Sequence, residues 1–206
     1  MKYFFTPPNQ LTFLRILLTP LFVALLFSVD SISRQLSLFV FLLALLSDWY
    51  DGWVARRWGY VTRWGTFLDP LADKVVTSAA FVSFIYLGLV PAWTVWVIVS
   101  RDIVITFLRS YSEYKGKPFD TSKLAKTKTF LQFVVLFYIL LLYIGHDVAR
   151  FQPFHNTIET MLHPTLIYFM MVCIAVITVW TGILYLVENR KTLRELYALS
   201  ARITES

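Results

Sequence analysis

Apolar residues gather into six runs, at 10–29, 36–58, 65–87, 91–111, 124–144 and 164–187. Each is close to the ~20 residues needed to cross the hydrocarbon core of a bilayer. In lipid only helices and closed barrels satisfy their own backbone groups, and unbroken runs of this length predict helices. Gly88 and Pro91, in YLGLVPAW, separate the third run from the fourth. A short amphipathic stretch at 1–9 is expected to lie at the membrane surface. The charged stretch 188–206, ENRKTLRELYALSARITES, is expected to start helical and continue as a solvated tail. No internal repeat or low-complexity linker divides the chain. The expectation is a single domain over 1–206: an all-α, polytopic membrane protein of six transmembrane helices. Prolines and Arg15 stand where a cleaved signal would have its apolar centre, so the first run is expected to remain in the mature protein.

Composition supports the membrane class. The chain is 57% hydrophobic and 16% charged, with a mean hydropathy of +0.62, beyond the usual soluble range. The net charge of +6 does not imply nucleic acid, because the basic residues lie between apolar runs and form no continuous stripe. The single cysteine, Cys173, excludes an intrachain disulfide and reads as a small core or lipid-facing residue.

Charge also sets orientation. With six spans, the N-terminus, the second and fourth loops and the C-terminus share one side. That side holds thirteen Lys and Arg residues, from Lys2 through Arg56, Arg57, Arg63 and Lys115 to Arg202, against Arg34 and Arg150 opposite. The asymmetry predicts that both termini are cytoplasmic.

Against this apolar background stands SDWYDGWVARRWGYVTRWGTFLDPLADK, with four aspartates, Asp48, Asp51, Asp69 and Asp73. Asp48 and Asp51 are i, i+3 near the end of the second helix; Asp69 and Asp73 are i, i+4 near the start of the third. Pro70 is tolerated in a helix's first turn. A turn near 57–63 sets the two helices side by side, and the carboxylates lie roughly 5 to 15 Å below it. Each pair thus presents a stripe toward one pocket.

An aspartate at the centre of a span costs about 2.5 to 3.5 kcal/mol, less near the interface. Four carboxylates also repel one another, so a compensating cation is expected. Oxygen ligands without Cys or His suit Mg²⁺ or Mn²⁺ and disfavour zinc or copper. Two such ions make a clamp suited to phosphoryl chemistry. Gly52, Ala55 and Gly65 are small residues that let a nucleotide or a neighbouring helix approach, and Arg56 can reach a phosphate. The structural alternative, acids ion-paired to Arg56, Arg57, Arg63 and Lys74, does not account for two facing stripes with interleaved glycines.

Asp48-x2-Asp51-Gly52-x2-Ala55-Arg56-x8-Gly65-x3-Asp69-x3-Asp73 resembles the complete signature of the CDP-alcohol phosphatidyltransferase family. The resemblance runs from PNQLTFLR to about Gln132. It implies the six-helix fold of that family and a two-metal site of Asp48, Asp51, Asp69 and Asp73. Asp73 is implied to be the base for the acceptor hydroxyl, and Gly52, Ala55, Arg56 and Gly65 to contact CDP. Asn9, Thr12 and Arg15 would line the pocket, although Arg15 could instead snorkel to the surface. Family members are commonly homodimers, and a homodimer is expected here.

The acceptor is read from a second set of charges. Arg101 and Arg109 lie two turns apart on one face of the fourth helix, and Lys123, Lys126 and Lys128 open the fifth. Together they fit a phosphorylated acceptor such as glycerol 3-phosphate. The plainer readings pair Arg101 and Arg109 with Asp102, Glu113 or helix carbonyls, and leave the lysines in a solvated loop. TRWGTFLDPLADKV, SRD…FLRSYSEYKGK and SKLAKTKTFLQ are similar to the bacterial phosphatidylglycerophosphate synthase branch. Asp102 stands where that branch usually has Glu, and Ala125 where it usually has Gly. The branch implies CDP-diacylglycerol and glycerol 3-phosphate as substrates, at the inner membrane of the cell. Cardiolipin synthases of the superfamily share LDPLADK and SRD, so phosphatidylglycerol is the alternative acceptor, with inositol phosphate a further one.

His146, His155 and His163 fall in or near the loop on the other side, away from the aspartates. With no two of them at a helical ligand spacing, they are not expected to bind metal. A cation channel would spread its acids through the bilayer depth, whereas here they cluster at one end of two helices. A non-enzymatic scaffold would tolerate Asp73→Asn.

Overall fold

The computed structural model describes residues 7–58, 63–114, 116, 123–190 and 192–193, except for the side chains of 7–12, 48–58, 63–70, 73, 114, 123–125, 149–150 and 152. Among the described residues every regular element is helical, as expected. The elements are α1 (Pro7–Leu26), α2 (Ser31–Trp58), α3 (Arg63–Tyr86), α4 (Ala92–Tyr114), α5 (Lys123–His146), a 3-10 turn at Ala149–Phe154, α6 (His155–Met161) and α7 (Pro164–Glu188). The long helices coincide with the six apolar runs, with bounds moved by up to five residues. The 3-10 turn and α6 were not expected: both are short and mix polar with apolar positions, so no sustained period announces them.

Local chemistry explains the boundaries. Asp30 caps α2, its carboxylate accepting from the Ser33 N–H and the Ser33 hydroxyl, each at 3.0 Å. Those bonds, the backbone one foremost, hold its carboxyl below the usual range. Helix α3 stops at Gly88, whose φ of +71° is the left-handed conformation that favours glycine. There the Gly88 N–H bonds Ile85 O and the Leu89 N–H bonds Phe84 O, each at 3.0 Å. Pro91 then precedes α4. At the start of α7, Pro164 occupies the first turn and His163 Nδ1 accepts from the Thr165 N–H at 3.3 Å.

Helix α1 packs against both α2 and α3, α3 against α4, and α4 against α7; α5 packs on α7 and α2. One apolar core joins them, with Phe22, Phe41, Phe81, Phe84, Leu136 and Met171 fully buried. The Phe22 and Phe41 rings lie 5.1 Å apart and tilted, and Phe137 meets Phe41 edge-on at 5.5 Å. Around this core the outer faces remain apolar: Phe13, Leu17, Phe39, Phe107, Phe130, Phe169 and Trp180 are all exposed.

By length and composition, two stretches of the described residues can cross a bilayer, Lys126–His146 of 21 residues and His155–Glu188 of 34. Phe13–Leu26, Ser31–Ser47 and Lys74–Tyr86 are shorter apolar helices. Helix α4 is interrupted by Arg101, Asp102, Arg109 and Glu113, which lower its apolar character while giving it the polar face described next.

Candidate active site

Helix α4 carries the centre of the site. Arg101, Asp102, Ile105, Thr106 and Arg109 recur at near-helical spacing, so one face of α4 presents two guanidinium groups and a carboxylate. Lys74 of α3, Lys126 and Thr129 of α5 and Tyr185 of α7 complete a cavity of about 480 Å³ with them. Four cationic side chains and one carboxylate line it, so its field favours an anion.

Asp102 organises these cations. Its side chain is 3% exposed. Lys128 Nζ, itself buried, donates to Oδ1 in a close ion pair. Arg101 Nη1 donates to the same oxygen at 3.2 Å, and Lys74 Nζ stands 3.6 Å from Oδ2. A buried carboxylate demands such partners, since unpaired burial of a charge is costly. Arg101 is fixed a second time by Thr181 of α7, to whose hydroxyl Nη2 donates at 3.2 Å. Gly182 lies directly beneath the arginine: a Cβ there would stand 2.9 Å from Arg101 Nε and 3.2 Å from its Cγ. Nearer the opening, Arg109 Nε meets Glu113 Oε1 at 3.4 Å, one turn along α4, and stays about half exposed.

The acceptor-phosphate candidates thus part company. Arg101, Arg109 and Lys126 line one cavity. The plainer pairings of Arg101 with Asp102 and of Arg109 with Glu113 are also present, and are compatible with lining it. Lys128 is buried and held by Asp102, so the solvated-loop alternative does not apply to it. The Lys123 side chain lies outside the described residues. Arg15 is fully buried rather than snorkelling to the surface.

Asp48, Asp51, Gly52, Ala55 and Arg56 fall within α2, and Gly65, Asp69 and Asp73 within α3. The side chains at all eight positions lie outside the described residues, as do those of Asn9 and Thr12 in α1. Lys74 connects the two groups along the chain, since it follows Asp73 directly and lines the basic cavity. Its partner among the described residues is Asp102.

Sequence reasoning missed Lys74, Thr129 and Tyr185 as lining residues and Asp102 as the common partner. The available signal was Asp102 itself, an acid inside an apolar run and adjacent to an arginine. It also missed that His146 and His155 converge, with ring centroids 3.9 Å apart.

Comparison with known proteins agrees with the signature. The family model described as CDP-alcohol phosphatidyltransferase matches residues 5–187. A CDP-diacylglycerol–glycerol-3-phosphate 3-phosphatidyltransferase of Bacillus subtilis (strain 168) is 33% identical over 162 residues, covering 73% of this chain and 83% of the relative. A protein of the same description from Salmonella typhimurium (strain LT2) is 36% identical over 143 residues, 66% of this chain and 77% of the relative. Another from Rickettsia prowazekii (strain Madrid E) is 32% identical over 134 residues, 65% and 74% respectively.

Proposed function

The chain belongs to the CDP-alcohol phosphatidyltransferase family, and we propose from that premise that it is a CDP-diacylglycerol–glycerol-3-phosphate 3-phosphatidyltransferase. The acceptor hydroxyl of sn-glycerol 3-phosphate attacks the phosphorus that bears the diacylglycerol. The P–O bond to CMP breaks, CMP leaves with the electron pair, and the hydroxyl proton passes to a carboxylate. The products are phosphatidylglycerol phosphate and CMP.

The basic cavity on α4 is the observation that carries the choice of acceptor. Arg101, Arg109, Lys126 and Lys74 converge on a space of about 480 Å³, which suits a small phosphorylated alcohol. Guanidinium groups bind phosphate oxygens in a planar fork, and charge-assisted bonds of this type are the strong ones. Asp102 keeps Arg101, Lys74 and Lys128 from repelling one another before the phosphate arrives. Lys123, at the start of α5, belongs to the same basic end of the helix.

Asp48, Asp51, Asp69 and Asp73 would hold two Mg²⁺ or Mn²⁺ ions, a fit that rests on a donor set made of carboxylate oxygens alone. When bound, such ions stabilise negative charge developing on the pyrophosphate. Asp73 is the residue assigned to take the proton. Gly52, Ala55, Arg56 and Gly65 are assigned to contact the CDP moiety, with Arg56 the residue that would reach its phosphates. Asn9, Thr12 and Arg15, all in α1, are assigned by the family resemblance to line the same pocket.

The single domain spans the inner membrane six times, with site and termini on the cytoplasmic side and the chain paired as a homodimer. The apolar residues exposed on the long helices support a lipid surround, and the Lys and Arg asymmetry supports the orientation. Lipid chains then reach the site from the bilayer and the acceptor from the cytoplasm.

The deciding experiment offers purified protein and labelled CDP-diacylglycerol with glycerol 3-phosphate, phosphatidylglycerol or inositol phosphate, separately. CMP release with glycerol 3-phosphate alone is expected, and Asp73→Asn should abolish it while leaving the fold intact. Consumption of phosphatidylglycerol alone would make the protein a cardiolipin synthase instead.

A further inference from the structure

At the far end of α5 from the basic cavity, three side chains of metal-ligand type meet. His146 is the last residue of α5, His155 the first of α6, and Glu159 lies one helical turn beyond His155. His146 Nε2 is 3.7 Å and His155 Nε2 3.8 Å from the same oxygen, Glu159 Oε1. The three ligand atoms all lie within 4.8 Å of one another. These separations are too long for good hydrogen bonds. The two imidazole–carboxylate separations stand somewhat above the edge of a metal tetrahedron, in which bonds of 2.0–2.1 Å place neighbouring ligand atoms about 3.3 Å apart. Small rotations of the two rings and of the Glu159 carboxylate close the difference.

The surroundings suit a metal as well. His146 turns its other nitrogen toward a carboxylate, with Nδ1 3.8 Å from Asp147 Oδ1. Asp147 is in turn anchored by Arg34 Nη1 at 2.6 Å. At 3.8 Å from Nδ1 the Asp147 carboxylate is beyond hydrogen-bond length; a small turn of the His146 ring would bring Nδ1–H to it, the arrangement that fixes the tautomer of a ligating imidazole. Both histidines are partly exposed and Glu159 is more so, so an ion has access and water can complete the coordination.

We infer that His146, His155 and Glu159 form a zinc-type cation site that fastens the end of α5 to α6. Two imidazole nitrogens and one carboxylate oxygen suit Zn²⁺ and its neighbours such as Co²⁺, whereas Mg²⁺ prefers all-oxygen ligands. The site lies eighteen residues from Lys128 along α5, about 27 Å at helical rise, so it is separate from the chemistry proposed above. Its role is structural. It closes the turn at 147–154 by holding α6 to α5, which Tyr138 of α5 also does by donating from its hydroxyl to Met161 O, at the end of α6, at 2.8 Å. Through Asp147 and Arg34 it also ties that turn to the start of α2.

The test uses full-length protein in detergent, stripped with chelator and re-equilibrated in millimolar Mg²⁺ so that oxygen-only sites are filled. Equilibrium dialysis with Zn²⁺ should then give one saturable equivalent per chain. Co²⁺ in its place should give the visible absorption of a four-coordinate nitrogen and oxygen site. His155→Gln and Glu159→Gln should each weaken Zn²⁺ binding at least tenfold and remove the Co²⁺ band. Asp147→Asn should weaken binding about tenfold through His146. All three should retain CMP release, which reports that they fold. The inference is overturned if the wild-type chain takes up no saturable Zn²⁺ with Mg²⁺ present, or if uptake and Co²⁺ spectrum are the same in the His155→Gln, Glu159→Gln double variant. Neither result bears on the acceptor, which is measured by CMP release.

Discussion

Asp102 is the side chain on which the basic cavity depends. It is buried against Lys128, Arg101 and Lys74, so removing its charge leaves three cations crowded together, one of them buried. Breaking a buried ion pair from one side typically costs about 3–5 kcal/mol. Asp102→Asn is therefore expected to lower the melting temperature markedly and to raise KM for glycerol 3-phosphate. Asp102→Glu should recover most of both, because it restores the charge with one added methylene. Equal damage by Glu and Asn would mean that shape matters here and charge does not. At the cavity's more open side, Arg109→Ala and Lys126→Ala each remove one phosphate partner without uncovering a buried charge. A charge-assisted hydrogen bond contributes about 1.5–3 kcal/mol, so each should raise KM for glycerol 3-phosphate roughly tenfold or more. KM for CDP-diacylglycerol should change little, which initial-rate kinetics in both substrates will check. At this scale the sequence told only part of the story. Arg101, Arg109 and Lys126 are visible from spacing and charge, but the pairing of Asp102 with Lys128 joins residues 26 apart and depends on how α4 meets α5.

Between elements, the contact of α4 with α7 sets the position of Arg101. Gly182 gives the arginine its seat, and the atoms that an added Cβ would meet are Nε and Cγ, not the mobile end of the chain. Arg101 is also tethered on both sides, to Asp102 and to Thr181, so it cannot yield without losing a partner. Ala in place of Gly raises helix propensity by about 1 kcal/mol. Gly182→Ala should thus leave thermal stability nearly unchanged while lowering kcat/KM for glycerol 3-phosphate about tenfold. Unchanged kinetics would show that Arg101 does not need this seat. The elements themselves were largely legible, because six apolar runs of membrane length leave few alternatives and Gly88 with Pro91 marks a stop. The 3-10 turn and α6 were not, and with them went the histidine cluster. His155 and Glu159 do stand at i, i+4, but two ligand-type residues at one spacing are no signal alone, and His146 reaches them only because the chain turns back after α5.

For the molecule as a whole, α5 sets the two polar ends apart. Its apolar length, Lys126–His146, is 21 residues, or about 32 Å at helical rise, enough to cross the hydrocarbon core. Lys126 lines the basic cavity at one end, while His146 meets His155 and Glu159 at the other. If α5 spans the bilayer as proposed, the two ends face different compartments, and the Lys and Arg asymmetry then puts the cavity on the cytoplasmic side. The four-aspartate signature was legible because it is compact in sequence. The basic cavity was less so, being assembled from four helices. Sidedness is measurable with single cysteines in a Cys173→Ala background, which removes the one native thiol. Thr157→Cys, on the exposed surface of α6, should react with a membrane-impermeant maleimide in intact spheroplasts. Lys126→Cys should react only after the membrane is opened. Labelling of both from outside would place the basic cavity away from cytoplasmic glycerol 3-phosphate, and the proposed acceptor could not reach it.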